Sequence, residues 1–316
     1  FIDRDYSRDY TEGEIGAGSA SPEGLVYFSE VLSAYARHRP LDRLFHASPT
    51  LATVLERLND RRLRLIPQPR GSFLRVEHPD SHETGFLVWA PEWITFPSLG
   101  YSPAELGGME IPWKTDPDTG AVSYSLIRPE ADFTALFLPA VDYVDCFYTV
   151  WPKPNEEMPN SLAIGPCLQL KQGIFEGDDA DLMKRIFYIS GERWTSLGSV
   201  AGGNSRNILY IRGNPSPEMA GDMARSGWRT IQHQRPDVPL MAAASRDGQW
   251  IAATAAEHSS SICNNANASH RCIHSQGDMP LAQEGPTILR MRVYLFQGRL
   301  DDLYLRYQRD VIRWKS

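Results

Sequence analysis

Three of the chain's eight histidines, His258, His270 and His274, fall in one polar stretch with two of its four cysteines, Cys263 and Cys272. Imidazole is the commonest biological metal ligand, and three in a short window could hold Zn, Cu or Fe with a position left open for substrate. The same groups could work without metal, one imidazole serving as general acid or base. Glu257 adjoins His258 and Asp278 lies four residues after His274. Either carboxylate could orient an imidazole or act as its partner. The competing reading is structural: histidines satisfied by loop backbone. His270 and His274 would share a face of a helix, but Pro280 and the surrounding Asn and Ser point to a loop or strand end instead.

The elements that must position these residues flank them. The run Trp250–Ala256 before the stretch and the alternating run Ile288–Phe296 after it read as strands. The sequence therefore predicts one long functional loop, 257–278, held on a sheet scaffold. Strand-like runs recur from about Leu65 onward, bounded by Pro, Gly, Asp and Asn, with turn chemistry at Asp116–Gly120 and Arg246–Gly248. No helical run alternates with them, so a doubly wound α/β sheet is set aside in favour of a mainly antiparallel β-sandwich. Residues 1–20 read as an extended arm and 21–62 as a small helical cap, with helix starts at Ser21-Pro22 and Ser48-Pro49. Residues 63–316 form the sandwich, closed by a C-terminal helix beginning near Leu300.

Composition narrows the classes. At 316 residues with 42% hydrophobic and 22% charged residues, the chain reads as an ordinary globular protein. A net charge of −7 carries no nucleic-acid footprint, and no apolar run reaches the roughly 18–20 residues of a membrane span. A homo-oligomer stays open. The cysteines suggest two disulfides, Cys263 with Cys272 across one loop and Cys146 with Cys167 across neighbouring strands; four buried or metal-bound thiols is the alternative. With Phe1 in place of an initiator Met, the pairing leads to the expectation of a secreted or periplasmic protein.

Other motifs are weaker. Glu176, Asp178 and Asp179 read as a solvated acidic turn. Asp142 and Asp145, three apart in a strand-like run, would point to opposite faces, which argues against a paired-carboxylate glycosidase site there. Gly202-Gly203 does not open a helix after a strand, so nucleotide binding is rejected. Trp93 and Trp113, on expected loops beside prolines, are the better candidates for an exposed sugar-stacking platform, against core packing for most of the other tryptophans.

Cys167-Leu168-Gln169-Leu170, Ser245-Arg246-Asp247-Gly248-Gln249-Trp250, Asn264-Asn265, Arg271-Cys272-Ile273-His274-Ser275 and Gly298-Arg299-Leu300-Asp301-Asp302-Leu303 together resemble a group of bacterial β-sandwich proteins found alongside carbohydrate-degrading enzymes. The architecture also resembles the galactose mutarotase-like supersandwich, over roughly residues 65–305. The resemblance implies a carbohydrate bound on one sheet face, with Asn264, Asn265 and Gln169 supplying polar contacts beside Trp93 and Trp113. In epimerases of that superfamily a His is the general acid and a Glu the base; their Asn-His-Ser/Thr strand motif is absent here. The favoured reading is a carbohydrate-active enzyme performing hydrolysis, elimination or epimerisation with His258, His270, His274, Glu257 and Asp278, and no obligatory cofactor. The rivals are a metal-dependent enzyme built on the three histidines, a non-catalytic carbohydrate-binding module, and an assembly protein using the N-terminal arm.

Overall fold

The computed structural model describes residues 61–94, 107–153, 158–213, 221, 223–267, 270–282 and 285–315. The expected arm and helical cap lie outside these residues, apart from the turn at 61–62. In chain order the strands begin with β1 (Arg64–Pro67), β2 (Phe73–His78), β3 (Ser81–Ile94), β4 (Lys114–Thr115) and β5 (Val122–Ile127). They continue with β6 (Ala131–Pro139), β7 (Tyr143–Pro152), β8 (Ser161–Gln169), β9 (Ile186–Ser190), β10 (Arg193–Ser196) and β11 (Arg206–Tyr210). The last six are β12 (Arg229–Ile231), β13 (Leu240–Ala244), β14 (Trp250–Ala256), β15 (Ser261–Asn265), β16 (Cys272–Pro280) and β17 (Thr287–Gln297). A short helix, α1 (Asp179–Arg185), precedes β9, and α2 (Leu300–Lys315) ends the chain.

These strands form the two sheets of a β-sandwich, as the sequence predicts. The first sheet has eight strands in the order β1-β2-β3-β8-β16-β15-β11-β12, and the second nine in the order β10-β9-β13-β14-β17-β7-β6-β5-β4. All neighbours are antiparallel except β11 and β12, which run parallel. Residues 62–305 make one compact unit containing both sheets.

Period-2 alternation sorts each strand into two faces. The inner faces supply the core: Leu74, Val76, Phe86, Val88, Leu168 and Ile273 from the first sheet, and Phe133, Tyr148, Met241, Leu289 and Val293 from the second. Polar bonds also cross between the sheets. Tyr124 donates to the Ala90 carbonyl at 2.8 Å, and Ser275 on β16 donates to the Thr254 carbonyl at 2.9 Å. Turn chemistry behaves as read: Gly120 and Gly248 take positive φ of 67° and 69°, and the Asp116 carboxylate accepts from the Asp118 and Thr119 amides.

Three expectations change. The predicted loop 257–278 is largely a hairpin of β15 and β16, because its Ser, Asn, Cys and His residues alternate with Ile on paired strands. The disulfides are absent: all four cysteines are free and buried. Cys146 lies in the second sheet and Cys167 in the first, while Cys263 faces His274 rather than Cys272. The support that cysteine pairing gave to an oxidising compartment goes with them. The acidic turn is a helix start, where Asp178 caps α1 by accepting from the Asp181 amide at 2.7 Å.

Candidate active site on the outer face of the first sheet

Residues directly opposite each other across a ladder share a face. On the outer face of the first sheet, Leu87 (β3) pairs with Gln169 (β8), Gln169 with Cys272 (β16), and Cys272 with Asn265 (β15). One step along, Trp89 pairs with Cys167, and His274 with Cys263. This face therefore presents three thiols, an imidazole, two amides and an indole where a solvent-facing sheet would carry charged residues.

The centre of the face is buried, with Cys167 0%, Cys272 1%, His274 2% and Glu92 6% exposed. The Cys272 Sγ lies 3.0 Å from His274 Nε2. The other ring nitrogen, Nδ1, lies 3.1 Å from the Pro166 carbonyl, which can only accept, so Nδ1 carries the hydrogen. Glu92 Oε2 stands 3.7 Å from the same nitrogen. Glu92 reaches this face because β3 is irregular: residues 90–92 span the gap between the Trp89–Cys167 and Trp93–Gly165 pairs, opposite Pro166 alone.

Burial pushes the Glu92 carboxyl up to about 7, against the pull of His274. Burial opposes charge on His274 too, but Cys272 and Glu92 outweigh it and hold the imidazole at about 9. Cys272 goes the other way. Despite burial, a hydrogen bond from Cys167 and the His274 charge hold its thiol well below the usual value, while burial drives Cys167 well above it. These directions favour charge separation between Cys272 and His274, with the Cys167 thiol hydrogen-bonded to Cys272.

The Trp93 ring lies over His274, centroids 5.4 Å apart at 37°. It fits there because Gly165, opposite it, has no side chain; a Cβ at that position would fall inside the Trp93 ring. Gly165→Ala is therefore expected to push Trp93 off His274 and cost about 1–3 kcal/mol, as overpacking does. Denaturant unfolding followed by tryptophan fluorescence checks this; an unchanged midpoint and spectrum would refute the packing argument.

Beside the cluster the same face opens into a cleft of about 580 Å³ lined by Gln68, Arg70, Phe73, Trp89, Gln169 and His270, among others. Phe73 and Trp89 form its aromatic wall, centroids 4.7 Å apart and tilted 30°. The Trp89 Nε1 is buried without a hydrogen-bond partner among the described residues. His270, in the turn before β16, has Nδ1 3.3 Å from Asn267 Oδ1.

The structure thus brings His270, His274, Gln169, Asn265 and Trp93 to one region. It does not bring the three histidines together around one ion. Exposed His258 sits in the turn after β14, where its carbonyl accepts from the Asp278 amide at 2.9 Å. Asp278 lies four residues along β16 from His274, roughly 13 Å at strand rise. Glu257 is tied to β17 through its amide and the Arg290 carbonyl, 3.0 Å apart. Burial raises its carboxyl, but it belongs with His258 at the far end of the strand. Asn264 points inward and accepts from Asn207 at 3.0 Å, so it is a packing residue. Trp113 is half-buried and packs edge-on to Tyr124 at 4.7 Å, against the core rather than as an exposed platform.

Sequence reasoning missed Glu92, Trp89 and the chemical weight of Cys167 and Cys272. Cys-x-His at 272–274 is a signal of strand alternation that could have found the cluster; Glu92 depends on the β3 irregularity and leaves none.

The two sheets and this outer face define the class, an antiparallel β-sandwich with a polar site on one sheet. No protein-family model matches the chain, and no curated protein matches it. Among solved structures it is similar to a galactose mutarotase related enzyme from Lactobacillus acidophilus, with 8% identity and a TM-score of 0.43, over 75% of this chain and 98% of that one. It is also similar to a galactose mutarotase-like protein from Lactobacillus casei, with 11% identity and a TM-score of 0.42, over 74% of this chain and all of that one. No described helix is long and apolar enough to cross a membrane.

Proposed function

We propose that the protein is a carbohydrate-active enzyme that binds a sugar in the Phe73–Trp89 cleft and moves a proton with His270. The observation that carries this reading is the cleft: an aromatic wall facing Gln169 and His270 on one rigid sheet face. Apolar sugar faces stack on aromatic rings while amide and imidazole groups bind the hydroxyls, and a pocket of this size suits one or two sugar units. Gln169 stands on a strand and so is held in place; Trp89 is fixed by Phe73 on one side and by the close approach of Gly107 on another. Among the three reactions considered, epimerisation or elimination fits better than hydrolysis through paired carboxylates, because no carboxylate pair lines the cleft among its described residues.

The test is calorimetric titration and turnover on a panel of monosaccharides and oligosaccharides, with Trp89→Ala alongside the wild type. Loss of the stacking surface is expected to weaken the best ligand by about 2–13-fold, from the roughly 0.5–1.5 kcal/mol an aromatic contact adds. A panel without binding or turnover, or equal affinity in the folded variant, would remove the reading.

A further inference from the structure

The geometry points to a zinc site beneath the cleft wall, with Cys167, Cys272 and His274 as its three protein ligands and a fourth position left for water or a substrate oxygen. This goes beyond the carbohydrate reading and does not rest on it. It also differs from a site made by the three histidines, of which it uses one.

The ligand atoms come first. The two Sγ atoms and a His274 ring nitrogen all lie within 4.8 Å of one another, the one such group of histidine, cysteine and carboxylate ligands among the described residues. Tetrahedral zinc with bonds near 2.3 Å to sulfur and 2.0–2.1 Å to nitrogen needs ligand atoms roughly 3.5–3.8 Å apart. The Cys272–His274 contact of 3.0 Å would have to open by only about half an ångström to reach that spacing.

The surroundings are those of a metal ligand. His274 has Nδ1 against the Pro166 carbonyl, which fixes the tautomer and leaves Nε2, the nitrogen facing Cys272, as the donor atom. Metal-bound histidines almost always carry this kind of partner on the second nitrogen. Glu92 sits beside the set, 3.7 Å from His274. There it supports the imidazole from the Nδ1 side, opposite the nitrogen that faces Cys272. Two thiolates with one imidazole select borderline-soft ions, and the tetrahedral cysteine–histidine set suits Zn(II).

The sheet builds the site in advance. Cys272 and His274 are two apart on β16 and share a face, and Cys167 stands on the adjacent β8. All three are buried, so no exposed loop has to order on binding. The cleft is next door: Trp89 and Gln169, which line it, are the ladder partners of Cys167 and Cys272. Three protein ligands with an open fourth position is the pattern of catalytic rather than structural zinc.

The experiment uses the full chain, purified without a tag, reduced and stripped with chelator, then titrated with Co(II) and back-titrated with Zn(II). One equivalent of Co(II) is expected to give thiolate-to-cobalt charge-transfer absorption and tetrahedral d–d bands, both erased by Zn(II). Cys167→Ser and His274→Ala should lose the spectrum, whereas Cys263→Ser and His270→Ala, which keep all three ligands, should retain it. Glu92→Gln should weaken zinc by about 10–100-fold, the usual cost of losing a supporting group around a metal. A folded wild-type chain that develops no cobalt bands overturns the proposal. So does a Cys167→Ser variant that binds with unchanged affinity, and circular dichroism on every variant separates loss of metal from loss of fold.

Discussion

If the cleft acts on a sugar as proposed, His270→Ala is expected to lower kcat/KM by about 10²–10⁴-fold, the usual contribution of a positioned acid–base group. Binding should change far less. His270 lines the cleft opposite the aromatic wall and sits in the turn leading into β16, with Nδ1 beside Asn267 Oδ1. That contact helps to orient the ring at the cleft. Because the residue is in a turn and not in the packed sheet, truncation should leave the fold intact, which makes the kinetic effect readable. His270→Gln separates the roles: an amide can hold a hydroxyl but cannot shuttle a proton, so kcat should fall as in the alanine variant while KM stays near wild type. Equal losses in KM and kcat/KM for His270→Ala, with kcat unchanged, would make His270 a wall of the cleft and nothing more.

Asp145→Asn is expected to cost about 3–5 kcal/mol of folding stability, measured by denaturant unfolding, because it strips the counter-charge from two buried guanidinium groups. Asp145 on β7 is 2% exposed and faces β17, where Arg292 Nε lies 2.7 Å and Arg290 Nη2 2.8 Å from its carboxylate oxygens. The Arg292 guanidinium also lies 3.6 Å from the centre of the Tyr143 ring. Burial alone would raise the Asp145 carboxyl, but Arg290 and then Arg292 overcome it and hold the group below its ordinary value. A carboxyl lowered in the folded state adds stability above its unfolded value, near 4, and loses it as the pH falls through the folded value. The wild type should therefore lose stability on strong acidification while Asp145→Asn, already lacking the contribution, responds less. A variant as stable as wild type at neutral pH would mean the cluster is solvated and inexpensive to break.

The placement of this aspartate also explains what strand periodicity could settle. The spacing of Asp142 and Asp145 predicts opposite faces of one strand; in the structure Asp142 precedes β7, and Asp145 sits on the β7 face that meets Arg290 and Arg292 of β17. The same alternation made the run 288–296 legible as a strand, and the turn residues at Asp116–Gly120 and Arg246–Gly248 placed hairpins correctly. A single strand carries its in–out pattern in its own residues, so fold class followed from the sequence.

The site did not follow in the same way. Ser261–Asn265 and Cys272–Pro280 looked like loop because their outer positions are polar, yet that polar face is buried and pairs regularly across three strands. Loop assignment then grouped His258, Glu257 and Asp278 with His270 and His274, although the extended strand separates them along its length. Likewise Cys263 and Cys272 looked like a pair by closeness in sequence, when the register sets Cys263 opposite His274. Asn264 and Asn265 are adjacent, and a one-residue step sends the first into the core and leaves the second beside Cys272.

The sequence by itself determined the β-sandwich, most strand positions, the turns and the closeness of His270, His274, Cys263 and Cys272 along one stretch. Only the tertiary structure decided which of those residues meet. Cys167 and Trp89 reach the cluster through ladder register between strands far apart in the chain, and Glu92 through a local irregularity in β3. Register between distant strands is set by the packing of whole faces, and no short stretch of residues encodes it.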